Sequence, residues 1–181
     1  MIKLIDKIVV VDIECTCWED SVPTGQQSEI IEVGVCLLDI QTGAISDSKG
    51  IIVKPSVSDV SPFCTQLTSI TPEMVSHGIS FKDACDQLKE EYLTTRRSWA
   101  SYGYYDQVMF IKQCERTGVP YPFSSSYLNI KTLLPLRLKL KRELGMKKAL
   151  DKLGIPLEGT HHRGVDDAKN IAKILRSIFA T

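Results

Sequence analysis

The feature that most constrains this chain is its first apolar run, Ile8-Val9-Val10-Val11, which leads straight into two acids in alternation, Asp12 and Glu14. β-Branched residues in succession favour a strand, and strand side chains alternate between faces, so Asp12 and Glu14 share one face. Paired carboxylates on a buried sheet are costly unless something positive holds them, and a divalent cation is the usual holder. Near the other end of the chain, His162 stands five residues before Asp167. Together the two ends imply a metal-dependent hydrolase with a histidine base.

The chain has 181 residues, enough for one sizeable core, and is read as a single domain over residues 1–181. No apolar run approaches the roughly 20 residues of a membrane span, so no membrane partner is expected. The opening Met1-Ile2-Lys3-Leu4-Ile5-Asp6-Lys7 lacks the apolar centre and small-residue cleavage site of a signal peptide, which implies a cytoplasmic location. Cys15, Cys17, Cys36, Cys64, Cys85 and Cys114 show no paired framework and read as small buried hydrophobes in a reducing compartment. A zinc site from Cys15-Thr16-Cys17 with His161 and His162 is poorly supported, because the spacing is C-x-C and a second ligand pair is missing. With 22 basic and 22 acidic residues the formal net charge is zero. Neutrality argues against broad coating of a nucleic-acid backbone. It leaves room for a site that grips one end, where metal ions supply the positive charge.

Along the chain, strands are expected from Lys7 to Glu14, Ile30 to Ile40 and Ser48 to Lys54, forming an antiparallel meander with a turn at Gln41-Thr42-Gly43. The stretch from Pro55 to Pro62 reads as an irregular connection, and Thr71-Pro72 as a helix start. Ser80-Phe81-Lys82-Asp83 has the form of a capping box opening a helix to Leu93. Trp99 to Tyr102 is a fourth strand, Gly103 breaks it, and Asp106 opens a helix ending near Gly118. Leu128 to Lys131 is a short fifth strand. Thr132 is expected to cap a helix with Pro135 in its first turn, and a short helix from Lys147 to Leu153 stops at Gly154. Val165, Ala168, Ala172, Leu175 and Phe179 recur at helical spacing and give the last helix one apolar face. Strands alternating with helices after a meander imply one α/β domain with a mixed sheet.

Asp12, Glu14, Asp106 and Asp167 all stand where elements begin or end, and in open α/β sheets ligands bind at strand ends. Their hard oxygens suit Mg²⁺ or Mn²⁺, and four clustered acids repel one another without cations. Two ions about 4 Å apart could clamp a phosphodiester displacement. Singly, Asp166 or Asp167 is as readily a dipole-compensating helix acid, Asp106 an N-cap, and His162 an exposed loop residue. Asp12 and Glu14 are harder to explain away.

Asp12-Ile13-Glu14, Ser101-Tyr102-Gly103-Tyr104-Tyr105-Asp106 and His162-Arg163-Gly164-Val165-Asp166-Asp167-Ala168 resemble, in order, the three blocks of the DEDDh 3′-to-5′ exonucleases. The segment Leu67-Thr68-Ser69-Ile70-Thr71 is similar to a further element of the family, and the head Glu14-Cys15-Thr16-Cys17-Trp18 and the tail from Gly164 to Ala172 are similar to one branch. That branch holds the histone-mRNA and small-RNA 3′ exonucleases and the bacterial KapD-type proteins. The resemblance covers about residues 7–179. It implies a ribonuclease H-like three-layer α/β/α fold with a five-stranded mixed sheet in order 3-2-1-4-5. It further implies that Asp12, Glu14 and Asp167 hold the first of two Mg²⁺ or Mn²⁺ ions, with Asp12 bridging to a second that Asp106 supports. His162 is then the general base, and His161, one residue off the family spacing, a bystander. Ile13 departs from the aromatic residue common in the branch, and the additional nucleic-acid-binding module of some relatives is not expected ahead of the domain.

For substrate, backbone N–H groups near Cys15 and Thr16 are expected at the terminal 3′-hydroxyl, Ile70 as a wedge on the last base, and Trp18, Tyr104 or Tyr105 as stacking partners. Arg137, Lys139, Lys141, Arg142, Lys147 and Lys148 form a basic strip opposed by Glu143, which is either a solvated face or a track for the strand. The leading expectation is release of nucleoside 5′-monophosphates from single-stranded RNA or DNA 3′ ends, RNA before DNA. A KapD-like regulator working through an unknown protein partner, with the fold as scaffold, is the alternative, and a small-nucleotide phosphohydrolase a third reading.

Overall fold

A computed structural model describes residues 3–179. Met1 and Ile2, part of the N-terminal stretch read above, lie outside the described residues. Strands β1 (Lys7–Cys15), β2 (Ile30–Asp39) and β3 (Ile45–Ile52) form an antiparallel meander, and β4 (Ser98–Ser101) and β5 (Tyr127–Asn129) extend the sheet in parallel. The order is β3-β2-β1-β4-β5, as expected from sequence, with β1 at the centre.

The alternation of β1 divides the core. Val9, Val11, Ile13 and Cys15 enter a cluster with Phe81, Cys85, Leu88, Phe110 and Cys114, from helices α3 (Phe81–Glu91) and α4 (Tyr105–Thr117). Ile8 and Val10 point the other way. They pack with Leu134, Leu150, Ile171 and Leu175, from α5 (Ile130–Leu138), α6 (Met146–Leu153) and α7 (Gly164–Phe179). Asp12 and Glu14 continue this second series beyond the apolar pair. They emerge at the carboxyl end of β1, on the side that α7 covers.

The start of α7 is seated very close to the sheet. Gly34 pairs with Asp12 across β1 and β2, and a Cβ added to Gly34 would fall 1.8 Å from the carbonyl carbon of Gly164. Only a residue without a side chain lets the first turn of α7 come down beside Asp12. That contact brings Asp167 to Asp12.

Three local expectations change. The connection after β3 is not wholly irregular. It contains α1 (Pro62–Thr68), capped by the Ser61 side chain, which accepts from the Cys64 N–H. The Ser61-Pro62 pair is the same signal as Thr71-Pro72, which opens α2 (Pro72–Ser76). The third strand begins at Ile45, earlier than Ser48, because Ala44 closes the turn by accepting from Asp39 N–H at 2.9 Å. The cap of α5 is Asn129, whose side chain accepts from the Thr132 N–H at 3.3 Å. Pro135 therefore lies inside α5, near its end, where one missing N–H does not break a longer helix.

Candidate metal-dependent active site

The carboxyl ends of the parallel strands β1 and β4 lie side by side, and the chain leaving each builds one wall of a cleft of about 260 Å³. Asp12, Glu14, Asp106, His161, His162 and Asp167 line it, with Tyr102, Tyr105 and Met146. Ligand oxygens of Asp12, Glu14 and Asp167 lie within 4.8 Å of one another. After β4, Gly103 turns the chain at φ 109°, and α4 begins with Tyr105 and Asp106. The Ile13 N–H then donates to Asp106 Oδ1 at 3.0 Å, tying the fourth acid across the end of β1. The four acids, widely separated in sequence, share one cleft, as expected.

Their electrostatics show what the cleft lacks. Burial pushes the Asp12 carboxyl well above the ordinary carboxylate range, and the charges of Asp106 and Glu14 push it further. Burial, then Asp167 and Glu32, raise Glu14 to about 8. Burial raises Asp106 to about 6 against the hydrogen bond from Ile13, and raises Asp167 against those from the His162 N–H and His161. Among the described residues, no side chain makes a hydrogen bond or ion pair to the carboxylates of Asp12 or Glu14. An all-oxygen donor set with no cationic side chain bonded to its first two acids suits hard divalent ions.

The loop before α7 carries both histidines. The His162 N–H donates to Asp167 Oδ2 at 2.9 Å, and His162 holds a left-handed backbone with φ 66°. Burial and the neighbouring His161 lower the pKa of the His162 ring, so it stays neutral to lower pH than a free histidine. His161, expected to stand aside, does not. Its Nδ1 lies 2.9 Å from Asp167 Oδ2, and its ring stacks on His162 with centroids 4.0 Å apart. Adjacent residues on a tight turn can share one acid, which a count of residues along the chain does not reveal.

Sequence reasoning misses Glu32. It pairs with Glu14 across β1 and β2 and is fully buried, accepting from Arg163 Nε at 3.2 Å and the Gly164 N–H at 2.9 Å. The signal is present in the chain: an acid in the run Ile30-Ile31-Glu32-Val33 invites the same question as Asp12.

The substrate contacts expected from sequence fare unevenly. Ile70 has no exposed surface and packs with Ile31, Val60, Cys64 and Val75, so it cannot wedge against a base; Leu67 of the same segment is 39% exposed. The Thr16 N–H is already taken, donating to Glu29 O at 2.8 Å, and its hydroxyl is bonded to Gln27 and Glu29, so it is not available for a 3′-hydroxyl. The Cys15 side chain is buried in the core. Trp18 is half-buried and outside the cleft lining. Tyr104 and Tyr105 are exposed, and Tyr105 lines the cleft.

The model of the exonuclease family that includes RNase T matches residues 9–175. The chain belongs to this family, in its DEDDh group. A solved nuclease domain of 3′hExo, described as a DEDDh family member bound to rAMP, is 33% identical, with 95% of this chain and 90% of that one covered and a TM-score of 0.84. Human 3′-5′ exoribonuclease 1 is 34% identical over 93% of this chain and 51% of its own length. The exonuclease Snipper of Drosophila melanogaster is 26% identical over 93% of this chain and 67% of its own. The chain thus spans about half the length of the human and rat 3′-5′ exoribonucleases 1 that it matches. Among the described residues, no helix is long and apolar enough to cross a membrane.

Proposed function

We propose that this chain is a 3′-to-5′ exonuclease that trims single-stranded RNA ends to nucleoside 5′-monophosphates with two Mg²⁺ or Mn²⁺ ions. The observation that carries the reading is the approach of Asp12, Glu14 and Asp167 to within 4.8 Å, with Asp106 and His162 in the same cleft. Asp12, Glu14 and Asp167 would hold one ion, and Asp106 together with Asp12 would hold the other. When bound, the ions supply charge neutralisation at the phosphodiester and activation of water. His162 accepts the proton of the attacking water at a ring nitrogen, for which its lowered pKa keeps a lone pair free at neutral pH. The Asp167 carboxylate, through the His162 N–H, fixes the backbone from which that ring is presented.

RNA as substrate is supported by the 30%-identical neighbour whose structure describes 3′-end recognition of a histone mRNA stem-loop. Tyr104 and Tyr105 offer exposed rings to a terminal base, and Lys141, Arg142, Lys147 and Lys148 are exposed beside Met146 of the cleft. Six unpaired cysteines support a reducing, cytoplasmic home. The test is cleavage of 5′-labelled RNA and DNA oligomers with Mg²⁺, Mn²⁺ or chelator. A ladder shortening from the 3′ end, metal-dependent and faster on RNA, is the expected result. No cleavage of any oligomer with either metal would refute the reading.

A further inference from the structure

His161 is the histidine in the cleft that the reaction above does not use. It is not idle: Nδ1 meets Asp167 Oδ2 at 2.9 Å, and the ring lies flat on that of His162. One ligand atom from each of His161, His162 and Asp167 lies within 4.8 Å of the others. The cleft therefore contains two overlapping donor sets. One is all oxygen, from Asp12, Glu14 and Asp167, and the other is two imidazoles and a carboxylate, with Asp167 common to both.

We propose that His161, His162 and Asp167 form an inhibitory site for a borderline transition cation of the Zn²⁺ class. Two imidazoles and one carboxylate make up a donor set that zinc takes readily, with water in the fourth position, whereas Mg²⁺ prefers oxygen alone. With bonds of about 2.0–2.1 Å at a tetrahedral centre, the His161 and Asp167 ligand atoms need a separation of about 3.3 Å. The observed 2.9 Å contact opens by about 0.4 Å to admit the ion. The proton held on that contact leaves to solvent, and ring rotation brings in the His162 nitrogen. The His161 side chain is 37% exposed, so an ion reaches the pair without unfolding the loop.

Occupancy has a definite consequence. The His162 lone pair that would accept the water proton becomes a metal ligand, and Asp167 is drawn away from Asp12 and Glu14. Inhibition rests on the nuclease reading; binding of the ion does not.

The test uses the full chain and Zn²⁺ itself, with Co²⁺ as a spectroscopic probe, in a background of excess Mg²⁺. His161→Asn keeps a donor facing Asp167 but removes the imidazole, His162→Asn removes the other ring, and Glu14→Gln disables the all-oxygen set. Wild type and Glu14→Gln should bind Zn²⁺ alike by calorimetry and give the visible Co²⁺ ligand-field bands of a four-coordinate N/O site. Both histidine variants should bind at least about tenfold more weakly and lose the bands. In cleavage assays the Zn²⁺ concentration for half inhibition should rise by a similar factor in His161→Asn relative to that variant's own Mg²⁺ rate. Unchanged Zn²⁺ binding in both histidine variants, or its loss in Glu14→Gln, would overturn the proposal by placing the ion among the acids. Zn²⁺ binding that follows the histidines in a chain that cleaves no oligomer would sink the nuclease reading and leave the site standing.

Discussion

Replacing Glu14 with glutamine should stabilise the metal-free protein while abolishing its stabilisation by Mg²⁺. The Glu14 carboxyl moves from an ordinary 4.5 to about 8 on folding, chiefly because it is buried. Between those values the folded chain binds a proton that the unfolded chain has released, so stability falls as pH rises from about 4.5 and levels off above about 8. Each pH unit in the window costs about 1.4 kcal/mol, which gives about 3 kcal/mol by pH 7. Residual solvent contact at this partly exposed carboxyl reduces the figure to about 2 kcal/mol. A glutamine at this position cannot ionise in either state, so Glu14→Gln loses the penalty. In a chain of this length the gain amounts to a rise of about 4–8 °C in Tm. The assay is thermal melting in chelator from pH 5 to 8.5. Wild type should melt lower as pH rises, and the variant should keep a flatter profile that crosses above it. Added Mg²⁺ should reverse the order, because only wild type then gains from binding. A variant no more stable than wild type at pH 8 in chelator would refute the claim that this carboxyl is held against its preferred charge.

Single-turnover cleavage by His162→Ala at saturating metal should fall about 10²–10⁴-fold, the range for a positioned general base, whereas His161→Ala should stay within about tenfold of wild type. The reverse pattern would exchange the roles of the two rings. With saturating metal, the rate should fall on acidification through a midpoint below the 6.5 of an ordinary histidine, since burial and His161 lower the His162 pKa and only the neutral ring accepts a proton. A midpoint above 6.5 contradicts this account. Ile70→Ala should cost about 2–5 kcal/mol in chemical denaturation with kcat little changed, as for any emptied core position; a large loss of kcat with intact stability would return Ile70 to the substrate. Gly34→Ala should abolish metal-dependent stabilisation in melting experiments, because its methyl would fall 1.8 Å from the Gly164 carbonyl carbon and lift α7 off the sheet.

The legible parts of this chain are those where a local pattern and a global requirement coincide. Ile8 to Glu14 announces both a central strand and its acids, because period-two alternation fixes which side chains share a face. The α7 stripe is equally plain. What sequence does not disclose are contacts made by chance neighbours in space. Ile70 and Leu67 belong to one short segment, and which of them is buried depends on how α1 settles against Ile31 and Val75. Thr16 looks free just past Asp12 and Glu14, yet the chain that returns to it at the start of β2 brings Glu29 O to its N–H. Counting along the chain sets His161 aside. A tight turn with one left-handed residue puts both its ring and the next backbone N–H on the same carboxylate.

The buried pair of Glu32 and Arg163 explains how a loop can hold His162 steadily. A charge in the position of Glu32, with no exposed surface, is costly unless paired and fully hydrogen-bonded. Arg163 and the Gly164 N–H together supply that pairing, and these two residues follow His162 directly, Gly164 opening α7. The strand therefore grips the loop on one side of His162, while Asp167 grips it on the other through the His162 N–H. Removing Arg163 would leave a buried charge uncompensated, a loss of about 3–5 kcal/mol, so the loop cannot swing away from β2 without that penalty. The histidine is in this way tied to β2, the strand that pairs with Asp12 and Glu14 of β1. An Arg163→Met variant should lower kcat with little change in substrate affinity, and should lower Tm in the same experiment that leaves metal binding intact. If kcat and Tm both hold, the loop takes its position from the Gly34–Gly164 contact alone.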